Sequence, residues 1–264
     1  MNKINKTNDI NNNENLTNSL FDFAQVKQYT LDPVKLRQNR IVTLQQDSAE
    51  ADVFKILRTK ILKHLRKKNW NSFAITAPTQ GVGKTMVSIN LAIAMAMDTN
   101  QSVLLIDMDL VNPSIDLYLD LNVEYGLKDY LISNIPLSKI VIDPGIDRLL
   151  IIPGKGRVIE SSEILSAEKM RNLINKIKTE NPSKIIIFDL PPVLASDDVL
   201  VSTEYYDAAL IIFEEGGNRP EEIARTMQLL SGIPLLGTVL NKAEHLPGIQ
   251  HYSYGYSYKK VPRK

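Results

Sequence analysis

Hydrophobic and polar residues follow two kinds of pattern from Ser48 to about residue 245. Continuous apolar runs occur in SFAITA, SVLLIDMD, DRLLIIP, KIIIFDLPP, AALIIFEE and PLLGTVLNK, and such runs are typical of strands buried on both faces of a parallel sheet. The stretches between them, such as TMVSINLAIAMAMD, SAEKMRNLINKIK and RPEEIARTMQLL, predict helices. This order predicts an α/β domain with a doubly wound, mostly parallel sheet and helices on both faces.

A further helix is predicted at the start of this domain, over SAEADVFKILRTKILKHLRKK. Ser48 is a suitable N-cap residue, acidic residues follow in the first turns, and basic residues fill the last turns. A helix dipole favours this order of charges. Apolar residues recur on one face at helical spacing, at Phe54, Leu57, Ile61 and Leu65.

The two ends of the chain differ from the domain. Residues 1–20 are polar and Asn-rich without any period, which predicts disorder. Residues 21–47 are predicted to be an extended arm or linker, because they contain Pro33 and only one short apolar run, IVTL. Residues 48–245 are the predicted domain, and residues 246–264 are predicted to be a flexible tail rich in tyrosine.

Composition excludes several classes of protein. The chain has 264 residues with 44% apolar content, which is enough for one large core, and its net charge of +1 predicts no nucleic-acid partner. The absence of cysteine excludes disulfides, thiolate metal sites and a cysteine nucleophile. No apolar segment has the roughly 18–20 residues that span a bilayer, and none resembles a secretory signal. These features predict a soluble, cytoplasmic protein.

The stretch FAITAPTQGVGKTMVSIN is typical of a phosphate-binding loop between a buried strand and a helix. The lysine in it would neutralise nucleotide phosphates and the threonine would ligate Mg²⁺. Pro78 stands where the strict motif has its first glycine, so the motif is a variant one. The residues predicted to bind nucleotide here are Gly81, Val82, Gly83, Lys84, Thr85 and Met86.

Polar residues follow three of the other predicted strands. Asp107 and Asp109 end one strand and Asp189 ends another, and the carboxyl ends of parallel strands form the ligand crevice of such sheets. Carboxylates there can hold Mg²⁺ or orient an attacking hydroxyl group, whereas the competing interpretation is that they cap turns. Asn241 ends the last strand, where it either reads an adenine edge or forms a turn. Asp197 and Asp198 are interpreted as an N-cap pair.

These motifs together resemble the bacterial tyrosine kinases (BY-kinases) of polysaccharide export, over about residues 48–258. The family has a variant Walker A, a Walker A′ of the form hhhhDxD, a Walker B ending in D-x-P-P and a C-terminal tyrosine cluster. Here APTQGVGKT, VLLIDMD, IIIFDLPPVLASDD and YSYGYSY are similar to them, in the same order. Partition ATPases of the wider group carry a signature lysine in the loop, where this chain has Thr79.

The resemblance implies a role for each matching residue. Lys84 and Thr85 would be the Walker A lysine and hydroxyl, with ATP and Mg²⁺ as the ligands. Asp107 and Asp109 would be the A′ acids, one of them the base for the incoming tyrosine, and Asp189 would hold Mg²⁺ together with Thr85 and Asp109. The predicted phospho-acceptors are Tyr252, Tyr254, Tyr256 and Tyr258.

The resemblance also implies partners. The protein would form a homo-oligomer, with a ring as one arrangement, and a membrane polysaccharide co-polymerase or chain-length regulator would activate it. That partner would recruit it to the inner face of the cell membrane, and a tyrosine phosphatase would reverse the modification.

Two departures from the family pattern bear on activity. Asp52, Lys55 and Arg58 stand where the family's oligomerisation helix has E-x-x-R-x-x-R, and lysine lacks the bidentate fork of arginine. Val111 and Asn112 stand where the family often has arginines after the A′ acids. Both departures weaken the expectation of full kinase activity rather than that of nucleotide binding.

Several alternatives stay open at the level of sequence. A partition-type ATPase would use water instead of tyrosine and switch a dimer, and a catalytically weak regulator would bind nucleotide and gate a membrane co-polymerase. The tyrosine-rich tail also has the period-2 pattern of an edge strand, and it could serve as a partner-binding segment.

Overall fold

The computed structural model describes residues 26–45, 48–98, 100–180 and 183–243. Its strands are β1 (Lys27–Gln28), β2 (Ser72–Thr76), β3 (Val103–Asp107), β4 (Ile142–Asp143), β5 (Leu149–Ile152), β6 (Ile185–Asp189), β7 (Ala208–Glu214) and β8 (Leu235–Asn241). Its α-helices are α1 (Pro33–Gln38), α2 (Ala49–Lys68), α3 (Lys84–Ala96), α4 (Ile115–Tyr118), α5 (Leu127–Ser133), α6 (Leu137–Ile140), α7 (Ser161–Leu165), α8 (Glu168–Glu180), α9 (Asp198–Val201) and α10 (Pro220–Leu229). A 3₁₀ helix covers Thr203–Tyr205.

The strands of the described ranges form one sheet in the order β1-β4-β5-β3-β6-β2-β7-β8. Neighbouring strands run parallel, except that β4 and β5 are antiparallel. The predicted doubly wound, mostly parallel α/β fold is therefore confirmed. Strands β3, β6 and β2 are adjacent, so the residues that follow them meet at one edge of the sheet.

Two hydrophobic cores lie on the two faces of the sheet. Successive residues of a strand point to opposite faces, so Phe73 and Ile75 join one core while Ala74 joins the other. Helices α2 and α3 cover the first face and α8 lies on the second. Burial on both faces explains why the strands read as continuous apolar runs in the sequence.

Helix α2 matches its sequence pattern. The Ser48 hydroxyl accepts a hydrogen bond from the Ala51 backbone N–H at 3.0 Å, so Ser48 is the N-cap. Asn69 ends the helix in the left-handed conformation. Ile61 and Leu65 are buried, and Phe54 and Leu57 pack against the same core.

The segment before α2 is not simply extended. The prediction of an extended arm is wrong for residues 33–38, which form α1. Pro33 is suited to the first turn, where its missing N–H is not needed, and Asp32 caps the helix by accepting a hydrogen bond from the Val34 N–H at 2.8 Å. β1 adds to the sheet beside β4.

A buried asparagine fastens this segment to the domain. Asn90 of α3 is fully buried, and its Oδ1 accepts hydrogen bonds from the backbone N–H groups of Val42 and Thr43 at 2.8 and 3.1 Å. Its Nδ2 donates to the carbonyl oxygens of Arg40 and Met86 at 3.0 and 2.9 Å. The Thr43 hydroxyl, also buried, lies 2.9 Å from Asn90 Oδ1. One side chain therefore satisfies polar groups on both segments.

The predictions for residues 1–20 and 246–264 lie outside the described residues. Tyr252, Tyr254, Tyr256 and Tyr258 lie there, so the predicted phospho-acceptors are outside the described residues. In the part of the chain that is described, no helix has the length and apolar content needed to cross a membrane.

Replacing Asn90 tests this attachment. Asn90→Ala removes the shared partner of several buried backbone groups, so we expect the free energy of unfolding to fall by about 2–4 kcal/mol. Urea denaturation measures the change. Asn175→Ala, on an exposed face of α8, is the control and is expected to change stability by less than about 0.5 kcal/mol. Equal stability of the two variants would contradict the assignment.

Candidate active site

The phosphate loop joins β2 to α3 at the carboxyl edge of the sheet. Gly81 and Gly83 have φ values of 82° and 99°, a left-handed conformation that favours glycine. A Cβ atom on Gly83 would also collide with the side-chain amide of Asn241. Gly83 is the N-cap residue of α3, so the loop opens directly into a helix N-terminus, where anions bind.

Neighbouring elements brace this loop. Asn241 Nδ2, at the end of β8, donates to the Val82 carbonyl at 2.7 Å. The prediction that Asn241 reads an adenine edge stays a prediction, because this contact uses its amide nitrogen to hold the loop. Asn218 Nδ2 donates to the Thr79 hydroxyl at 3.2 Å, at the position where partition ATPases carry their signature lysine.

Two polar contacts link the loop to the carboxylates. Lys84 Nζ lies 3.4 Å from Asp109 Oδ2, and each side chain is only 7% exposed. The Thr85 hydroxyl donates to Asp189 Oδ2 at 2.6 Å. The structure therefore brings the predicted residues of three separate strand ends into one site.

Asp107 differs from Asp109 in what its oxygens do. Asp107 is fully buried, and Oδ2 accepts hydrogen bonds from the backbone N–H groups of Ser114 and Ile115 at 2.9 and 3.1 Å. Its Oδ1 accepts from the Asp109 N–H at 3.2 Å. Asp107 therefore shapes the segment after β3. Oδ1 of Asp109 accepts a hydrogen bond from the Asn112 backbone N–H at 3.0 Å, whereas its Oδ2 faces Lys84.

The site buries more negative than positive charge. Asp107, Asp109 and Asp189 are all buried, and Lys84 is the cation that contacts one of them. Burial and the neighbouring charge of Asp189 raise the pKa of Asp107 well above its ordinary value. Burial also raises the pKa of Asp189, while the charge of Lys84 and the Thr85 hydrogen bond oppose the rise.

The donor set fits Mg²⁺. Within the described ranges, no three carboxylate, histidine or cysteine side chains are arranged to hold a metal by themselves. Mg²⁺ in nucleotide sites usually takes one or two carboxylates and completes its shell with water and phosphate oxygens. The Thr85 hydroxyl and the Asp189 carboxylate suit that coordination, and the surplus of buried negative charge favours a cation. Asp109, the third predicted metal residue, faces Lys84 instead.

Two clefts flank the phosphate loop. The first has a volume of about 570 Å³ and is lined by Gln80, Asp109, Val111, the Pro191–Pro192 pair and residues 159–162 and 193–200 in part. The second has a volume of about 310 Å³ and is lined by Gly81, Gly83, Met86, Tyr118, Asn241, Lys242 and residues 38–40. The carboxylate that contacts Lys84 therefore opens into one cleft, and the glycines of the loop border the other.

Two serines that the sequence analysis did not predict also belong to the site. Ser88 Oγ donates to Asp189 Oδ1 at 2.9 Å, and Ser114 Oγ donates to Thr85 Oγ1 at 3.1 Å. Ser88 lies four residues after Lys84 in α3, so helical spacing could have revealed it. The signal for Ser114 is absent from the sequence, because its position depends on the turn that Asp107 holds.

The predicted N-cap pair at the start of α9 is only partly correct. Asp197 occupies the N-cap position without a side-chain capping hydrogen bond. Asp198 is buried and accepts hydrogen bonds from the Ser161 hydroxyl at 2.9 and 2.7 Å. Burial raises the pKa of Asp198, and the Ser161 hydrogen bond opposes that rise. Its partner comes from another segment, which a local sequence pattern could not reveal.

The predicted oligomerisation residues lie on α2. Lys55 Nζ and Asp52 Oδ1 are 2.8 Å apart within the helix, and Arg58 Nη1 donates to the Ala94 carbonyl of α3 at 3.0 Å. The Arg58 guanidinium group therefore already has a hydrogen-bond partner within the same chain. Beside them, Val53 and Ile56 are 62% and 51% exposed, so α2 presents apolar surface to solvent.

Comparison with known proteins identifies a family and relatives of the chain. A family model described as AAA domain matches residues 71–212. Tyrosine-protein kinase etk of Escherichia coli is 31% identical over 215 residues, which are 80% of this chain but 28% of the relative. The chain thus spans little more than a quarter of that protein. Tyrosine-protein kinase YwqD of Bacillus subtilis is 25% identical over 84% of this chain and 92% of its own length.

Solved structures show the same relationship. The kinase domain of Escherichia coli tyrosine kinase ETK superposes with a TM-score of 0.69 at 27% identity, covering 82% of this chain and 84% of that domain. A MinC:MinD cell division complex of Aquifex aeolicus superposes with a TM-score of 0.54 at 25% identity, covering 66% and 69%. The resemblance to bacterial tyrosine kinases is confirmed, and so is the P-loop type of fold.

The raised pKa of Asp189 generates a pH-dependent prediction. A carboxyl group whose pKa is higher in the folded than in the unfolded state favours folding most below its ordinary pKa of 3.8. That contribution is lost as the pH rises through the raised folded-state value. Asp189→Asn removes the charge, and the Thr85 and Ser88 hydroxyls can turn to suit the amide. We therefore expect the stability difference, variant minus wild type, to increase with pH above about 4, by at most about 1.4 kcal/mol per pH unit.

Urea denaturation in EDTA at a series of pH values between 4 and 8 measures this difference. Asp147→Asn, on an exposed turn, is the control for the loss of one exposed carboxylate. A difference for Asp189→Asn that does not change with pH would contradict the buried-charge account.

Proposed function

The chain belongs to the AAA domain family, and from that premise we propose that it is an ATP-dependent protein tyrosine kinase that phosphorylates tyrosines of its own C-terminal cluster. Relatives named as tyrosine-protein kinases support this reaction, including one whose length the chain covers almost completely. ATP is the proposed phosphate donor and Mg²⁺ the proposed metal ion.

The position of Asp109 carries the proposal. Its carboxylate contacts the loop lysine at 3.4 Å and also lines the cleft of about 570 Å³ beside the loop. An acceptor hydroxyl entering that cleft would meet a carboxylate and the phosphate-binding loop together. We assign to Asp109 the role of taking or orienting the tyrosine proton, because both oxygens of Asp107 already accept backbone hydrogen bonds.

The other residues bind and position. Loop N–H groups and Lys84 would hold the phosphates, and bound Mg²⁺ would supply charge neutralisation on their oxygens. Thr85 and Asp189 would hold the metal, and Ser88 fixes the second oxygen of Asp189 at 2.9 Å. Positioning and neutralisation of this kind supply most of the catalysis in phosphoryl transfer.

The proposed acceptors are Tyr252, Tyr254, Tyr256 and Tyr258 of a neighbouring copy. Serine and glycine separate these tyrosines, and basic residues follow them: Lys259, Lys260, Arg263 and Lys264. Each phosphate would add about −1.5 to −2 charges, so phosphorylation of all four tyrosines would reverse the sign of this tip. Repulsion between phosphorylated tips would loosen an oligomer, which gives the modification a regulatory use.

The proposed kinase function also suggests how the protein assembles and where it acts. The exposed Val53 and Ile56 on α2, beside Asp52 and Lys55, suit a contact between copies in a homo-oligomer such as a ring. We propose that a membrane polysaccharide co-polymerase activates the kinase and holds it at the inner face of the membrane. A tyrosine phosphatase would reset it, and the kinase would thereby regulate capsule or exopolysaccharide synthesis.

Loss of the loop lysine tests the reaction. We expect the full chain with ATP and Mg²⁺ to form phosphotyrosine within residues 252–258, with and without membranes from the source organism. Lys84→Met should lower that signal by at least about 100-fold, because phosphate neutralisation is lost. Phosphopeptide mapping by mass spectrometry is the measurement, and Lys139→Met, an exposed lysine on α6, is the control.

The other outcomes favour different functions. ATP-locked dimers that hydrolyse ATP without phosphotyrosine would favour a partition-type ATPase, which the superposition with a MinC:MinD complex makes the second candidate. ATP binding without turnover, even beside membranes, would favour a regulator that has lost catalysis. Phosphotyrosine outside residues 252–258 would retain the kinase and reject the tail as its substrate.

Substitution of Asp109 tests its assignment as the base. Asp109→Asn should lower the rate of phosphotyrosine formation about 100- to 10,000-fold, because the carboxylate that would take or orient the tyrosine proton is lost. It also removes the ion pair with Lys84, which leaves that lysine available to the phosphates, so ADP affinity should not fall. Asp147→Asn is the matched control and should retain full activity. An Asp109→Asn enzyme with wild-type turnover would refute the assignment of the base.

A further inference from the structure

The nucleotide-binding role proposed above decides which side of the loop the purine base occupies. The γ-phosphate must face the cleft that holds Asp109, since the acceptor enters there. The base and ribose must then leave the loop on its other side, in the cleft bordered by Gly81, Gly83 and Met86. This second cleft has a volume of about 310 Å³, which is enough for a purine base.

One wall of that cleft comes from outside the family match. Gln38, Asn39 and Arg40 line it, and they lie in the segment before α2, whereas the AAA domain match begins at residue 71. None of the residues described as lining the cleft carries a carboxylate, and two carry cations: Arg40 and Lys242. Lys242 forms an ion pair with Glu214 at 2.9 Å, and Arg40 takes no part in that ion pair.

Hydrogen bonds fix this wall from both sides. Asn90 Nδ2 donates to the Arg40 carbonyl at 3.0 Å and to the carbonyl of Met86 at 2.9 Å. Asn39 Nδ2 donates to the carbonyl oxygen of Tyr118 at 2.8 Å. The segment is therefore tied to the helix that begins at the phosphate loop, and its position relative to the loop is set before any ligand binds.

Arg40 has an unusual backbone conformation. Its φ is 60°, in the left-handed region that costs a residue with a Cβ about 1–2 kcal/mol. The conformation closes α1, where the Ile41 N–H donates to the Leu36 carbonyl at 2.8 Å, and Asn90 holds the carbonyl of Arg40. The Arg40 side chain itself is exposed and borders the cleft.

We propose that Arg40 is a nucleotide-binding residue that covers the base side of the bound nucleotide. A guanidinium group is planar, always charged and stacks on aromatic rings, so it suits a purine. In this arrangement the segment before α2 completes the nucleotide site. A nucleotide would contact that segment and the phosphate loop at once.

Nucleotide affinity of the full chain tests the proposal. Isothermal titration compares ADP·Mg²⁺ with inorganic tripolyphosphate·Mg²⁺, which has no base. Arg40→Asn, chosen because asparagine tolerates a left-handed φ, should weaken ADP binding about tenfold, or about 1.4 kcal/mol, and change tripolyphosphate binding less than about twofold. Arg37→Asn is the matched control, since Arg37 is exposed on α1 and does not line the cleft.

Each outcome decides the matter. ADP affinity equal to wild type in Arg40→Asn, or an equal loss for tripolyphosphate, would overturn the proposal alone. A wild-type chain that binds neither ligand would overturn both this proposal and the proposed function. If Arg40→Asn does not fold, Arg40→Lys decides: it keeps the charge without the plane, and it should still weaken ADP selectively by about threefold.

Discussion

The burial of three carboxylates beside one lysine is the constraint on which this structure depends. Asp107 and Asp189 are directly paired in register on adjacent parallel strands, so their charges are forced together at the sheet edge. Removing ionised carboxylates from water is costly unless hydrogen bonds or cations compensate. Backbone N–H groups compensate Asp107, hydroxyl groups compensate Asp189, and Lys84 compensates Asp109. The remaining negative charge makes this edge a place for a cation.

The three aspartates differ in the partners that their oxygens contact. Both oxygens of Asp107 accept backbone hydrogen bonds, and these hold the turn that brings the Ser114 hydroxyl to the Thr85 hydroxyl. Asp189 and Thr85 share one hydrogen bond, which a metal ion could replace with its own coordination. Asp109 alone combines a contact to the loop lysine with a place in an open cleft. One strand end thus supplies two carboxylates with different contacts.

The phosphate loop itself is held from outside. Asn241 comes from β8 and Asn218 follows β7, and both amides fix atoms of the loop. On the remaining side, Asn90 connects the first turns of α3 to the segment before α2. These contacts keep the backbone N–H groups of the loop oriented in the absence of phosphate, so a bound phosphate would require little reorganisation of the loop. They also connect residues 40–43 to the cleft that the loop glycines border.

The sequence by itself determined the α/β fold, the strands β2, β3, β5, β6, β7 and β8, the start of α2, and the loop and carboxylates of the site, because each follows from a local pattern of a few residues. The short strands β1 and β4 and the helix at Pro33 carried too few residues for a pattern. Tertiary structure alone decided that Asp109 rather than Asp107 meets Lys84, since strand register and the turn after β3 set those directions. It alone placed Arg40 beside the loop, because the contact with Asn90 joins residues 50 positions apart, and no local spacing records it.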